Sequence, residues 1–165
     1  MSRFLRVSLV SCVYYWLRNL VATQTGKGDL VAQANAHRRL ALIVEDDHDL
    51  RALIVSLLEE SELEIGEFES AEAALAVMLL RGQDAAMIFA DIRLPGAMDG
   101  VDLAREAKMR WPHLTVVLTS GNGGDRLKHL PPGVTYMLKP WHALDVLMAA
   151  EQAKSSARQR TPFGP

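Results

Sequence analysis

Short apolar runs alternate with amphipathic segments between residues 40 and 150. Each run is five or six residues long and is bounded by polar or turn-forming residues, which is typical of a buried strand. Four runs cover residues 40–44, 85–90, 115–119 and 134–138, and a weaker, more polar strand is predicted at 63–68. This alternation predicts an α/β fold, with a doubly wound parallel sheet of five strands and helices on both faces.

Capping residues mark where helices begin. Asp47 or Asp49 can cap the first helix, and Ser70 can cap the second. The later helices are predicted over residues 70–80, 101–109 and 143–153. Residues 121–133 are rich in Gly and Pro, so the fourth of the five helices is expected to be short or irregular, around residues 125–129. The second strand is the most polar one and is expected at a sheet edge.

The ends of the chain differ from this central domain. Residues 1–20 combine arginines with an apolar run of about half the length needed to cross a bilayer. Contact with a membrane or a partner, translation from an upstream start codon, and an export signal are open interpretations. Residues 23–39 are polar and contain glycines, which is typical of a linker. We therefore expect an N-terminal segment and linker at 1–39, a folded domain at 40–153, and a disordered tail at 154–165 that is too short to form a further domain.

Charge is distributed unevenly along the chain. The net charge of the 165 residues is −2, but residues 1–39 hold six basic residues and one acid, whereas residues 40–150 hold nine basic residues and eighteen acids. An acidic domain binds a phosphate backbone poorly, so no nucleic-acid partner is expected. The single cysteine, Cys12, excludes an internal disulfide and suits a reducing compartment.

Polar side chains follow four of the predicted strands directly. They are Glu45, Asp46 and Asp47 after the first strand, Asp91 after the third, Thr119 and Ser120 after the fourth, and Lys139 after the fifth. Taken singly, such residues fit acids at a helix start, a turn hydroxyl and a surface charge. Because the carboxyl ends of parallel strands meet at one rim, we expect them to form one site, in which clustered carboxylates need a cation.

A set of motifs carries a resemblance to a known family. They are IVEDDHDLR at 43–51, FADIRLPG at 89–96 with MDG at 98–100, VVLTSG at 116–121, and YMLKPW at 136–141. In these motifs and their order, the chain resembles the receiver domain of bacterial two-component response regulators. The resemblance implies a flavodoxin-like fold with strand order 2-1-3-4-5.

The resemblance also implies roles for the acidic residues. Asp91 would be the phosphoacceptor, and Glu45, Asp46 and Asp91 would hold Mg²⁺, with a backbone carbonyl near Arg93 as a further ligand. Mg²⁺ and Lys139 would stabilise the negative charge of the phosphoryl group during its transfer.

Other residues are implied to respond to the phosphate. Ser120 would turn its hydroxyl toward the phosphoryl group, and the rotamer of Tyr136 would follow it. The Lys139-Pro140 bond would be cis. Because the fourth helix is expected to be short, we expect the loop at residues 121–133 and the last helix, including Trp141, to make more of the partner contact than is usual in the family.

The expected function is that of a cytoplasmic phosphoacceptor without an output domain. A sensor histidine kinase or a phosphotransfer protein would supply the phosphate, and an unidentified downstream protein would bind the product or receive the phosphate. No enzymatic activity is expected beyond slow self-dephosphorylation. One alternative is a Mg²⁺-dependent hydrolase or phosphatase with Asp91 as nucleophile, but such enzymes place an acid two residues on, where this chain has Arg93. Another alternative is a receiver fold that switches without phosphate.

Overall fold

The computed structural model describes residues 38–122 and 124–159. In chain order, the elements are β1 (Leu40–Val44), α1 (His48–Leu58), β2 (Glu64–Phe68), α2 (Ala71–Arg81), β3 (Ala85–Asp91), α3 (Gly100–Arg110), β4 (Thr115–Ser120), a 3-10 helix (Gly124–His129), β5 (Val134–Leu138) and α4 (Ala143–Arg158). All of them belong to a compact unit that begins at Arg39. The interpretations of residues 1–37 and 160–165 fall outside the described residues. None of the helices described is long and apolar enough to cross a membrane.

The strands form one parallel sheet in the order β2-β1-β3-β4-β5, which confirms the predicted fold. Asp91 at the end of β3 lies opposite Thr119 of β4, and Ser120 lies opposite Leu138 of β5. The carboxyl ends of these three strands are therefore level at one rim. The polar strand β2 is at an edge, as expected.

The core lies between the sheet and the helices on its two faces. Every residue of β1 is fully buried, and so are most residues of β3, because a parallel sheet is covered on both sides. On one face, alternate strand residues pack with α1 and α4 in a cluster that includes Ala41, Ile43, Phe89, Val117, Ile54, Leu58, Val146 and Ala150. This packing fixes the positions of the strand ends.

Side chains at the helix starts satisfy backbone N–H groups, as the sequence predicts for the first two helices. Asp47, one of the two candidates for the first cap, accepts hydrogen bonds from the N–H groups of Asp49 and Leu50. Ser70 caps α2. Asp99 caps α3 in a reciprocal arrangement with Asp102.

The last helix is longer than the sequence predicts. α4 continues to Arg158, so the prediction of disorder is wrong for residues 154–158. Ala153 and Ala157 are buried one turn apart in the core cluster, and Arg158 forms an ion pair with Glu62 at 3.3 Å. Alanines give a weak apolar signal, but their small side chains let the final turns pack closely against the domain.

In residues 121–122 and 124–133, which the structure describes between β4 and β5, there is a 3-10 helix and no α-helix, as the Gly and Pro content predicts. None of the residues of this 3-10 helix is buried. Arg126 ties the helix to the start of α3 through ion pairs with Asp99 and Asp102. The segment is therefore held by charged surface contacts and not by an apolar face.

Candidate functional site

The residues predicted at the strand ends do come together at one rim. Glu45 directly follows β1, Asp91 is the last residue of β3, and Lys139 directly follows β5. The Lys139 Nζ lies 2.7 Å from Glu45 Oε2 and 2.8 Å from Asp91 Oδ2. One ammonium group therefore binds carboxylates from two different strand ends.

Burial and hydrogen bonding act in opposite directions on the pKa values of Glu45 and Lys139. The Glu45 side chain is 3% exposed and that of Asp91 is 13% exposed. Burial raises the pKa of Glu45, and the hydrogen bond from Lys139 offsets this only in part. For Lys139, burial acts to lower the pKa, but the hydrogen bonds to Asp91 and Glu45 outweigh it and raise the pKa above its usual value. The positive charge of Lys139 is therefore secure at neutral pH.

A third carboxylate completes an acidic cluster. Glu45, Asp46 and Asp91 each offer an oxygen, and these oxygens lie within 4.8 Å of one another. Three carboxylates outnumber the single ammonium of Lys139, so the cluster retains negative charge for a cation. Carboxylate oxygens in a partly open site suit Mg²⁺, which prefers oxygen ligands and keeps several waters. The residues present therefore fit the ion that the family resemblance implies.

Backbone groups and a buried arginine hold the carboxylates in place. The Arg93 N–H donates to Asp91 Oδ1 at 3.2 Å, and the Asp47 N–H donates to Glu45 Oε1 at 3.4 Å. The guanidinium of Arg51, buried in α1, donates to the Glu45 carbonyl at 2.6 Å. Its Nε atom also pairs with Glu67 of β2 at 3.5 Å, and its Nη2 atom pairs with Glu69, just after β2, at 3.1 Å.

Arg51 is a residue that the sequence analysis missed. It shares the buried face of α1 with Ile54 and Leu58, at helical spacing. The charge on an otherwise apolar helix face could have indicated its role, because a buried arginine needs hydrogen-bond and charge partners. The neighbouring Glu45 carbonyl is one of those partners.

Ser120 and Tyr136 are joined through a backbone carbonyl. Ser120 is 1% exposed, and its Oγ accepts a hydrogen bond from the Asn122 N–H at 3.3 Å. Its carbonyl accepts one bond from the Tyr136 hydroxyl at 3.3 Å and another from the Lys139 N–H at 3.0 Å. The Lys139-Pro140 bond is cis. The two predicted switch residues and Lys139 thus meet at one point of the β4 end.

Gly100 is packed where a side chain has no room. A Cβ added there would lie 2.1 Å from the Asp91 carbonyl oxygen and 2.9 Å from the Ile92 Cα. These are backbone atoms that bear on the Asp91 position, so they cannot simply rotate away. Gly121 directly follows β4, and a Cβ added there would have no atom within 4 Å.

We expect Gly100→Ala to lower the free energy of unfolding by about 2 to 3 kcal/mol, because the backbone after Asp91 must shift. Urea denaturation measures this. Gly121→Ala is the matched control and should change the free energy by less than about 0.5 kcal/mol. Similar values for the two variants would contradict the close packing at Gly100.

A doubly wound parallel sheet with an acidic, lysine-bridged cluster at its carboxyl-end rim defines a flavodoxin-like domain with a rim suited to a divalent cation. The family model of the response regulator receiver domain matches residues 41–151. The chain belongs to this family.

Individual relatives agree with this assignment. The transcriptional regulatory protein AruR of Pseudomonas aeruginosa is 34% identical over 115 residues, covering 67% of this chain and 47% of AruR. The response regulator receiver protein CpdR of Brucella abortus is 29% identical over 114 residues, covering 67% of this chain and 92% of CpdR. The crystal structure of the receiver domain of NtrX from Brucella abortus matches with a TM-score of 0.61 and 31% identity, over 70% of this chain and 98% of that domain.

The relatives differ in how much of their length is matched. The chain spans 47% of AruR and 25% of the C4-dicarboxylate transport transcriptional regulatory protein DctD of Rhizobium meliloti. The similarity to these longer proteins is therefore a similarity to one part of them.

Proposed function

We propose that this receiver accepts a phosphoryl group on Asp91 in a two-component phosphorelay. The observation that carries the proposal is the contact of Lys139 Nζ with both Asp91 and Glu45, beside the Asp46 carboxylate. This arrangement holds the Asp91 carboxylate at the rim and supplies positive charge where phosphoryl oxygens would lie. The direct test is phosphate incorporation by the chain and by an Asp91→Asn variant.

In the proposed reaction, an Asp91 carboxylate oxygen forms a bond to phosphorus as the bond from phosphorus to the donor histidine nitrogen breaks. The product is an acyl phosphate on Asp91, and the donor histidine leaves as a neutral imidazole once its nitrogen has taken a proton from water. Mg²⁺, bound by Glu45, Asp46 and Asp91, would supply neutralisation of the phosphoryl charge. The Lys139 ammonium, now on Asp91 Oδ2, would pair with a phosphoryl oxygen.

We propose that the chain works as a binding module and not as an enzyme with turnover, apart from slow loss of its own phosphate. Its partners would be a sensor histidine kinase or a phosphotransfer protein and an unidentified downstream protein, with a cytoplasmic location. Position 93 supports this reading over a hydrolase, because an arginine stands there and its backbone N–H already binds Asp91. An arginine cannot serve as the general acid at neutral pH.

The proposed switch runs from Ser120 to Tyr136. Ser120 is buried, and an inward turn of its hydroxyl toward the phosphoryl group would end the bond from the Asn122 N–H. Tyr136, bonded to the Ser120 carbonyl, would then change its position. Such a signal requires an element with two arrangements, one of which is favoured by the phosphate.

The output surface would lie around β5 and α4. Leu138, Leu144 and Met148 are each more than half exposed there, and a groove of about 540 Å³ runs between the two elements. Trp141 lines this groove, and its ring packs edge-on against buried Phe89 at 5.9 Å. We therefore place Trp141 at the base of this surface and the exposed apolar residues on its partner side.

We expect the Ser120→Ala and Tyr136→Ala variants to incorporate phosphate like the parent. They should nevertheless lose the phosphate-dependent change in amide exchange over residues 119–150. The reason is that labelling needs Asp91, Lys139 and the acidic cluster, whereas the response needs the two switch side chains. Tyr136→Phe is the matched control for the hydroxyl bond to the Ser120 carbonyl. If both Ala variants label normally and show the parent's exchange change, the signal follows another route.

A further inference from the structure

The loop after Asp91 is held by a residue that no motif of the sequence marks. Glu72, in the first turn of α2, accepts hydrogen bonds from the Ala97 N–H at 2.7 Å and the Met98 N–H at 3.0 Å. Both bonds end on the same atom, Oε1. The contact joins an α2 side chain to the backbone of the β3–α3 loop, which begins at Ile92 and ends at Asp99.

The loop is shaped to fit this carboxylate. Gly96 has φ +116°, a conformation that residues with side chains rarely adopt. A Cβ at that position would lie 2.6 Å from Glu72 Oε1 and 2.7 Å from Oε2. The glycine therefore serves two purposes at once, because it permits the backbone turn and leaves room for the carboxylate.

Glu72 is charged in this contact. Partial burial acts to raise the pKa of Glu72, but hydrogen bonds from backbone N–H groups, among them those of Met98 and Ala97, outweigh it and hold the pKa below its usual value. Bonds from N–H groups to an ionised carboxylate are stronger than bonds between neutral groups.

The other end of the same loop touches the proposed phosphoacceptor. The Arg93 N–H donates to Asp91 Oδ1, and the Gly100 N–H donates to the Ile92 carbonyl at 3.0 Å. The loop is thus fixed near Asp91 at its start, by Glu72 in its middle, and by the α3 cap at Asp99. In the middle of the loop, the two bonds to Glu72 tie the backbone of Ala97 and Met98 to α2.

We propose that Glu72 is a positioning residue for phosphorylation: by holding Ala97 and Met98 it sets the course of the loop and hence the placement of the Arg93 backbone beside Asp91. This inference rests on the proposed function of Asp91. Glu72 acts through the loop and not by contact with the phosphoryl group. Small displacements of positioning groups cost large factors in rate.

The test compares Glu72→Ala with Glu72→Gln in the full chain. The glutamine amide oxygen has two acceptor sites, so it can take both N–H bonds that now end on Oε1, whereas alanine takes neither. Glu60→Ala, which removes an exposed carboxylate after α1, is the control for loss of charge at the surface. For each variant, Mg²⁺ affinity is measured by calorimetry, and labelling by phosphoramidate is measured as a maximal rate and a half-saturating donor concentration.

We expect Glu72→Ala to weaken Mg²⁺ binding and lower the labelling rate by roughly tenfold, while Glu72→Gln and Glu60→Ala stay within roughly twofold of the parent. Thermal melts identify any variant that fails to fold. Normal Mg²⁺ binding and labelling in a folded Glu72→Ala variant would overturn the inference. Equal defects in the Ala and Gln variants would also overturn it, because they would trace the effect to charge and not to the two loop bonds.

Gly96→Ala provides a second approach if Glu72→Ala does not fold. It should reproduce the defect in labelling, since its Cβ would meet the Glu72 carboxylate. Where Glu72→Ala does fold, the labelling defect of the Glu72→Ala/Gly96→Ala double variant should be smaller than the sum of the two single defects, because both changes release the same contact. Full additivity would contradict a shared contact. Failure of the proposed function looks different: the parent chain itself would then not be labelled on Asp91.

Discussion

Phosphate incorporation is expected to disappear when Asp91 is replaced by Asn. An amide oxygen is a poor nucleophile toward phosphorus, so the acyl phosphate cannot form, while the size of the side chain and its contact with the Arg93 N–H are kept. Intact mass after incubation with phosphoramidate and Mg²⁺ measures the result: one phosphoryl group on the parent and none on the variant. Chelation of Mg²⁺ should stop labelling of the parent as well, because the negatively charged cluster would repel the donor.

The control for this experiment is Asp49→Asn. Asp49 lies in the first turn of α1, close in sequence to the acidic cluster, but its side chain is fully exposed. This variant should be labelled like the parent. Equal labelling of Asp91→Asn would show that another carboxylate is the acceptor, and the assignment of the site would then be wrong.

The sequence predicted the strand ends well for a physical reason. A parallel sheet that is covered on both sides needs continuous apolar runs, and the first polar residue after each run marks where the strand leaves the core. Glu45, Asp91 and Lys139 stand at such points, so locating the runs also located the site. The strand order and the residue roles came from the family resemblance and not from this pattern.

Contacts made by backbone atoms or small side chains were beyond prediction from the sequence. Glu72 binds N–H groups 25 and 26 residues further along the chain, and every residue except proline offers such a group. The final turns of α4 depend on Ala153 and Ala157, whose apolar signal is weak although both are buried. Arg51 could have been found, because a charge on the apolar face of α1 requires an explanation.

These differences have a common origin in the distance between partners along the chain. Capping bonds such as those of Asp47 and Ser70 join residues two or three positions apart, so local sequence is enough to predict them. The bond from Lys139 to Glu45 joins residues 94 positions apart and follows only once the sheet order is known. The site is therefore predictable to the extent that the topology is.

The second large effect is expected from Lys139→Met, which keeps side-chain length and removes the charge. Glu45 Oε2 and Asp91 Oδ2 would then lose the ammonium that lies 2.7 and 2.8 Å from them. Removing one partner of a buried ion pair costs about 3 to 5 kcal/mol, and the partial exposure of Lys139 and Asp91 reduces this to about 2 to 3 kcal/mol. Urea denaturation at neutral pH without Mg²⁺ measures the loss in free energy of unfolding.

The pH dependence and two further variants show whether that loss is electrostatic. Burial already raises the pKa of Glu45 above its unfolded value, and loss of Lys139 should raise it more. A raised carboxyl pKa means that the folded state holds the proton more tightly than the unfolded state. The stability that protonated Glu45 contributes is therefore fully present below its unfolded pKa and is lost as the pH rises through its folded pKa. The deficit of Lys139→Met should therefore shrink on acidification, on adding Mg²⁺, and in the Lys139→Met/Glu45→Gln double variant.

Lys128→Met removes a lysine that is 76% exposed and paired with Asp125, and it should cost less than about 0.5 kcal/mol. Equal losses for the two lysine variants, or a Lys139→Met deficit that does not change with pH, would contradict the view that Lys139 holds the buried carboxylates together.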